Sequence, residues 1–507
     1  MVISVLLALF LTGSSPSSAA ATAEAATAAA IARVRTIDPK VHAVIALDPT
    51  AISQARAIDR GRRARGLLYG YAILLKDNIE ANGPLSTTAG SMALLDNVTH
   101  RDAPLVTRLK RADAVILGKT NLSEWANIRS NASISGWSAV GGQTRNPYAL
   151  DRDPCGSSSG SAAAVAAGEV TAAIGTETDG SITCPAAVNG VVGLKPTVGL
   201  VSRARIVPIS HSQDTAGPIT ADVTTAARVL SVIAGTDPTD AATKDADAHI
   251  ADYLAALKPG ALKGARIGVL RFATGWSAAT DKVFEQALTV LKQQGATLVD
   301  IRELKDRDKM GEAENLVLHT ELKVDLNAYL ATTPETVKTR TLADVIAFDS
   351  AHAQRELALF GQETFVKAEA TRGLDDPAYK AARETSLRIA GRDGIDAMLA
   401  ANHLDALVSP TMPPAWKIDA ANGDQIGGAG AGGLAAVAGY PHLTVPMGTV
   451  MGLPVGLSLI GPAWSEARLL AYGYAYEQAA RVKLSPRFIP SIEETMPIAP
   501  LLAPLKR

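Results

Sequence analysis

Apolar and polar positions change rhythm several times along the chain. Residues 21–66 are rich in Ala and Arg at helical spacing, whereas 71–75 (YAILL) form a short apolar run, a buried strand, that ends on Lys76. Helical spacing returns at 105–112, and 114–118 (AVILG) reads as a second buried strand. Residues 159–168 (SGSAAAVAAG) predict a helix whose small side chains let it lie close to a sheet. From 226 to 400 the pattern is helix-rich: 280–294 and 342–371 are long amphipathic helices, with strands expected at 265–270 and 297–301. Short apolar strands reappear at 407–409, 443–446 and 455–460, and a helix over 464–482 closes the pattern. Such alternation predicts an α/β sheet covered by helices on both faces and shared by the first and last thirds of the chain.

The first residues follow a different logic. The apolar run 2–11 (VISVLLALFL) is too short to span a bilayer, and small residues follow at 18–21. This predicts a signal peptide over 1–20 and export to the periplasm or medium, with a mature chain starting near Ala20. The basic residues that normally precede such a run are missing, so a buried first helix and a cytoplasmic protein are the competing reading.

Composition narrows the function. With 507 residues, 47% hydrophobic, 20% charged and a formal net charge of −1, the chain can bury a large core. It carries no electrostatic bias towards nucleic acid or anionic lipid, and neither stable membrane insertion nor a nucleic-acid partner is expected. Two cysteines, Cys155 and Cys184, make no disulfide framework and fit no zinc spacing; small buried packing residues explain them as well.

Several motif-like strings fall away when weighed. Gly118-Lys119-Thr120 ends like a phosphate loop, but Asp113 stands where its first glycine belongs. The tract 427–433 (GGAGAGG) has no lysine or hydroxyl for phosphate and reads as a flexible surface loop. Eight scattered histidines give no metal-ligand spacing. Residues 156–160 (GSSSG) fit the nucleophile elbow of an α/β-hydrolase with Ser158 as nucleophile. The strand required before it is replaced by polar, charged residues and Pro154. A second serine-glycine turn at 173–197 (AIGTETDGSITCPAAVNGVVGLKPT) is more informative, because consecutive backbone N–H groups near Ser181 could face one point as an oxyanion hole. A lysine ending a strand and two serines in glycine-rich turns, with no histidine near them in sequence, suggest Ser-Lys chemistry.

The order of Lys76 in LLKDN, then CGSSSGSAAAVAAG, then GTETDGSITCPA ending in GLKPT resembles the amidase signature family. LGKTNLSEWA at 117–126, TRNPY at 144–148, AGYPHLTVPMG at 438–448 and GLPVGLSLIGPAWSEARLL at 452–470 extend the likeness over nearly the whole chain. The resemblance implies one domain over 21–507, with a large central mixed β-sheet between helical layers. Its core would be 67–225 and 401–507, and 226–400 an inserted helix-rich layer. It also implies a Ser-cisSer-Lys triad: Ser181 as nucleophile, Ser157 as the bridging serine after a cis Gly156-Ser157 bond, and Lys76 as base. Thr178, Asp179, Gly180 and Ser181 match the family's oxyanion-hole segment, Asn78 and Ser158 would support Lys76, and neither cofactor nor metal is required.

Departures from the common family pattern at 155–160 and 178–183 look most like the bacterial branch that removes the C-terminal amide of peptides and releases ammonia. Asp179, beside the nucleophile, would order a polar end of such a substrate. An aryl or fatty acylamidase remains the alternative within the family, and an esterase using Ser158 outside it. A glutamine-transamidating subunit would need partner subunits and bound nucleic acid, which the near-neutral charge does not favour.

Overall fold

In the computed structural model, residues 22–428, 430–495 and 498–503 are described. The expected signal peptide at 1–20 lies outside them. The strands are β1 Val44–Leu47, β2 Ala72–Lys76, β3 Val115–Thr120, β4 Trp137–Ser138, β5 Gly142–Gln143, β6 Ala172–Glu177 and β7 Val192–Lys195. They continue with β8 Thr215–Thr220, β9 Arg266–Leu270, β10 Thr297–Ile301, β11 Ala406–Pro410, β12 His442–Val450 and β13 Leu453–Ile460. Eleven of them form one mixed sheet in the order β1-β3-β2-β6-β8-β7-β12-β13-β11-β9-β10, while β4 and β5 pair separately. Strands from the first and last thirds meet where β7 pairs with β12, and the two strands between 226 and 400 occupy the far edge.

The sheet buries both faces, and side-chain alternation decides which residue goes where. Ile73 and Leu75 join one core with Ile116, Ile174 and the helix Val223–Ile233, whereas Leu74 joins the opposite core with Val115 and the helix Ser159–Ala166. Two residues on from Leu74, Lys76 is delivered to that second face. β2 is parallel to both its neighbours, β3 and β6. Lys76 therefore stands at the carboxyl end of parallel strands, where α/β sheets build their sites.

The predicted small-residue helix is present as Ser159–Ala166, with Ser159 to Val165 all buried. The expected helix over 342–371 is instead three pieces, Leu342–Ala351, Ala353–Glu356 and Glu363–Glu369. A single amphipathic period cannot register the reason: Glu356 turns inward, accepting from the Met92 N–H at 2.7 Å, and its carbonyl receives the buried Arg129. The 427–433 tract begins as the expected surface loop at exposed Gly427 but does not end as one. Gly430 and Ala431 are buried, and Gly432 opens the helix Gly432–Ala438 against the end of the sheet. Among the described residues no helix is long and apolar enough to cross a membrane.

Candidate active site

Lys76 is fully buried at the end of β2. Its ammonium nitrogen donates to Ser157 Oγ at 2.7 Å, to Thr176 Oγ1 at 2.8 Å and to the Thr176 carbonyl at 3.2 Å. No carboxylate lies within ion-pair distance of it among the described residues. Lys119, at the end of adjacent β3, is equally enclosed but pairs with Asp77 at 3.3 Å and donates to the Ile79 carbonyl at 2.7 Å. The lysine of the GKT string is thus turned inward and has no phosphate to meet. Desolvation pushes Lys76 down to about 7, opposed by the more distant charges of Asp214 and Glu177.

Ser157 follows a cis Gly156-Ser157 peptide bond and is fully buried just before the helix Ser159–Ala166. Ser158 cannot serve as an exposed elbow: its hydroxyl donates to the Thr176 carbonyl at 3.0 Å and accepts the Thr176 N–H at 3.2 Å. Gly175 makes this possible, because a Cβ there would sit 2.7 Å from Ser158 Oγ. Asn78 reaches Lys76 only indirectly, donating to Thr176 Oγ1 at 3.0 Å. Thr176 is therefore the hub, holding Lys76, Asn78 and Ser158 at once.

Ser181 lies at the end of the turn after β6, with 8% of its surface exposed. The Ser158 N–H donates to the Ser181 carbonyl at 3.2 Å, tying the two serine loops together. The two hydroxyls Ser157 Oγ and Ser181 Oγ are not hydrogen-bonded to each other among the described residues. Gly180 has φ of 77°, and Glu177 accepts the next two N–H groups, Ile182 at 2.7 Å and Thr183 at 2.9 Å. Among the described residues the N–H groups of Asp179, Gly180 and Ser181 donate to no protein acceptor, so three donors stay available in one tight turn. The Thr178 hydroxyl donates to Asp214 at 2.6 Å.

Cys155 and Cys184 form a disulfide with their Cα atoms 6.0 Å apart. They are not two independent packing residues: the bond fastens the loop before Ser157 to the helix after Ser181. A separation of 29 residues hid this pairing in the sequence. Two cavities border the 176–184 segment. One of about 550 Å³ touches Asn78, Thr176 and Thr178, and one of about 480 Å³ touches Asp179, Gly180 and Thr183.

Among the described residues one histidine-carboxylate group has a spacing that could hold a metal: His211, Glu321 and Asp325, with ligand atoms within 4.8 Å of one another. Their hydrogen bonding accounts for them without an ion. Glu321 accepts from Tyr379 OH at 2.7 Å and from the Ser212 N–H at 3.1 Å, and the Asp325 contact holds His211 above its ordinary value. Thr176, Glu177 and Asp214 were missed as site residues in the sequence. Thr176 and Glu177 lie inside the 173–197 segment and Asp214 in the run 213–219 (QDTAGPI), yet nothing in the spacing says which hydroxyl or carboxylate turns inward.

The family profile described as Amidase matches residues 25–470. A probable amidase of Arabidopsis thaliana is 40% identical over 468 residues, 89% of this chain and 86% of the relative. The chain belongs to the amidase family. Solved relatives agree with this membership: the peptide amidase of Stenotrophomonas maltophilia is 51% identical with a TM-score of 0.87, over 92% of this chain and 96% of that one. A peptide amidase in complex with the competitive inhibitor chymostatin is 52% identical with a TM-score of 0.88, over the same shares. The large mixed sheet is that of the amidase fold, and the protein is an amide hydrolase.

Proposed function

We propose that this amidase removes the C-terminal amide of peptides, releasing ammonia, with Lys76, Ser157 and Ser181 as its catalytic residues. The observation that carries the reading is the 2.7 Å contact between Ser157 Oγ and a lysine that has no carboxylate partner and is held near neutrality by burial. A neutral Lys76 accepts the proton of Ser157 while Ser157 takes that of Ser181, and Ser181 Oγ attacks the amide carbon. The oxyanion that forms is met by the free N–H groups of the turn, each such donor being worth about 3 kcal/mol in related chemistry. On collapse, the proton held on Lys76 returns through Ser157 to the leaving nitrogen, ammonia departs, and water hydrolyses the Ser181 ester by the same relay.

The solved peptide amidases support the choice of substrate, since they share about half of this sequence over nearly its whole length. The double tether of Ser158 to Thr176 disfavours the esterase reading. The Cys155–Cys184 bond supports an oxidising compartment for the protein and hence export, because cytosolic thiols are kept reduced. Incubating a short amidated peptide with wild type, Ser181→Ala and Ser158→Ala proteins tests the assignment by mass spectrometry. Conversion to the free acid adds roughly one mass unit and is lost only in Ser181→Ala. Turnover of anilides with an untouched peptide amide would move the substrate to the acylamidase class.

A further inference from the structure

The cavity of about 480 Å³ beside the nucleophile's turn has an unusual wall. Asp179, two residues before Ser181, presents an exposed carboxylate to it that accepts no hydrogen bond among the described residues. Glu314, on the helix Arg307–Leu330, lines the same cavity and receives only Gln213 Nε2, at 2.9 Å. Glu312 and Asp308 add further negative charge at the wall, while Arg307, the single cationic side chain lining the cavity among the described residues, donates to the Gly430 carbonyl at 3.2 Å. Burial first, and the charge of Asp179 second, hold the Glu314 carboxyl above its ordinary range. Carboxyls in this state gain from any cation that enters.

A second, independent feature points the same way. His442 is buried, lines this cavity, and its Nδ1 has no hydrogen-bond partner. Its other nitrogen lies 2.7 Å from Ser458 Oγ, whose own proton goes to Thr411 Oγ1 at 2.9 Å. His442 must therefore donate through Nε2, which leaves Nδ1 as a bare acceptor. Burial, with Lys195 nearby, pushes the imidazole down to about 3, so it stays neutral. Glycines face these acceptors: a Cβ on Gly433 would lie 3.4 Å from the Asp179 carboxylate, and one on Gly432 would lie 3.5 Å from the buried His442 Nδ1.

We propose that Asp179, Glu314 and His442 Nδ1 form a subsite for a positively charged N–H donor on the substrate, an ammonium or guanidinium group carried by the peptide amide. The enzyme then selects cationic peptide amides over neutral ones of the same shape. This rests on the peptide-amide reading for its natural substrate, but the subsite itself can be probed without it.

The test compares kcat/KM for two amidated peptides that differ only in lysine against norleucine, with wild type and Glu314→Gln. Wild type prefers the lysine peptide by about tenfold, and Glu314→Gln brings the ratio near one while leaving the norleucine peptide within about twofold. A ratio near one in wild type, or one unchanged by Glu314→Gln, overturns the subsite. In parallel, butylguanidinium and butylurea compete against whichever amide the enzyme hydrolyses. The guanidinium inhibits at lower concentration than the urea in wild type and loses that advantage in Glu314→Gln; equal inhibition in wild type also overturns the proposal. If neither peptide is hydrolysed the peptide-amide reading falls, and the competition alone decides the subsite. Wild-type behaviour remains decisive if Glu314→Gln does not fold.

Discussion

Two lysines end neighbouring strands and both are enclosed, yet only one of them has a carboxylate partner. Lys119 has Asp77 at 3.3 Å, whereas Lys76 has two hydroxyls and a carbonyl. In the proposed relay the neutral amine is the active form, so kcat/KM is expected to rise with pH along an acid limb centred at about 7, and a profile flat from pH 5 to 9 would exclude Lys76 as base. The stability contribution has a matching sign. Folded Lys76 binds its proton less readily than in the unfolded chain, so between about 7 and 10.4 the unfolded state holds more protons and stability rises with pH. Thr176→Val removes the hydroxyl that accepts from both Lys76 and Asn78. The expected result is a fall in kcat of about tenfold and an acid limb moved to lower pH, since an acceptor that favours the ammonium has gone. That Lys76 meets Ser157 and that the loops of Ser157 and Ser181 adjoin was legible because three motifs occur in a fixed order. Thr176 was not, because its role depends on which side chain of β6 turns towards β2, and that is a matter of register.

The serine loops are positioned by elements more than by each other's hydroxyls. Ser158 anchors the start of the helix Ser159–Ala166 to β6 through both the N–H and the carbonyl of Thr176. Ser158→Ala therefore lowers stability by about 1–3 kcal/mol, as expected for buried backbone groups left without a partner, and reduces turnover without abolishing it. A denaturation curve alongside steady-state rates checks both. The Cys155–Cys184 bond closes a loop around that helix and β6. Replacing both cysteines by alanine is expected to cost about 3.5 kcal/mol by the loop-entropy estimate and to lower kcat more than KM, because the loops meet at the reacting centre. Element prediction succeeded where burial is simple, as in β10, found at Thr297–Ile301 as the sequence predicts. It failed at 342–371, where the inward turn of Glu356 interrupts an otherwise helical period.

At the scale of the molecule, the sheet order joins segments far apart in sequence. β7 pairs with β12 across more than two hundred residues, and β9 pairs with β11 while also carrying β10 at the edge. The two 226–400 strands are held to the rest by the β9–β11 pairing and by Ile267, Val269 and Phe284, which sit in the same core as Ile73 and Leu75. Activity and far-UV ellipticity are expected to be lost over the same temperature interval; a first transition that spares activity would show that region melting by itself. The α/β class and the sharing of the sheet by both ends were legible from alternating apolar runs. The strand order was not, since apolar runs of similar length carry no address. The bond between Cys155 and Cys184 also has a practical consequence for anyone making the protein. A reducing host would deliver the chain with its two serine loops unfastened, and an oxidising one with them joined. Specific activity compared between the two preparations thus becomes a direct readout of how much the fastening matters.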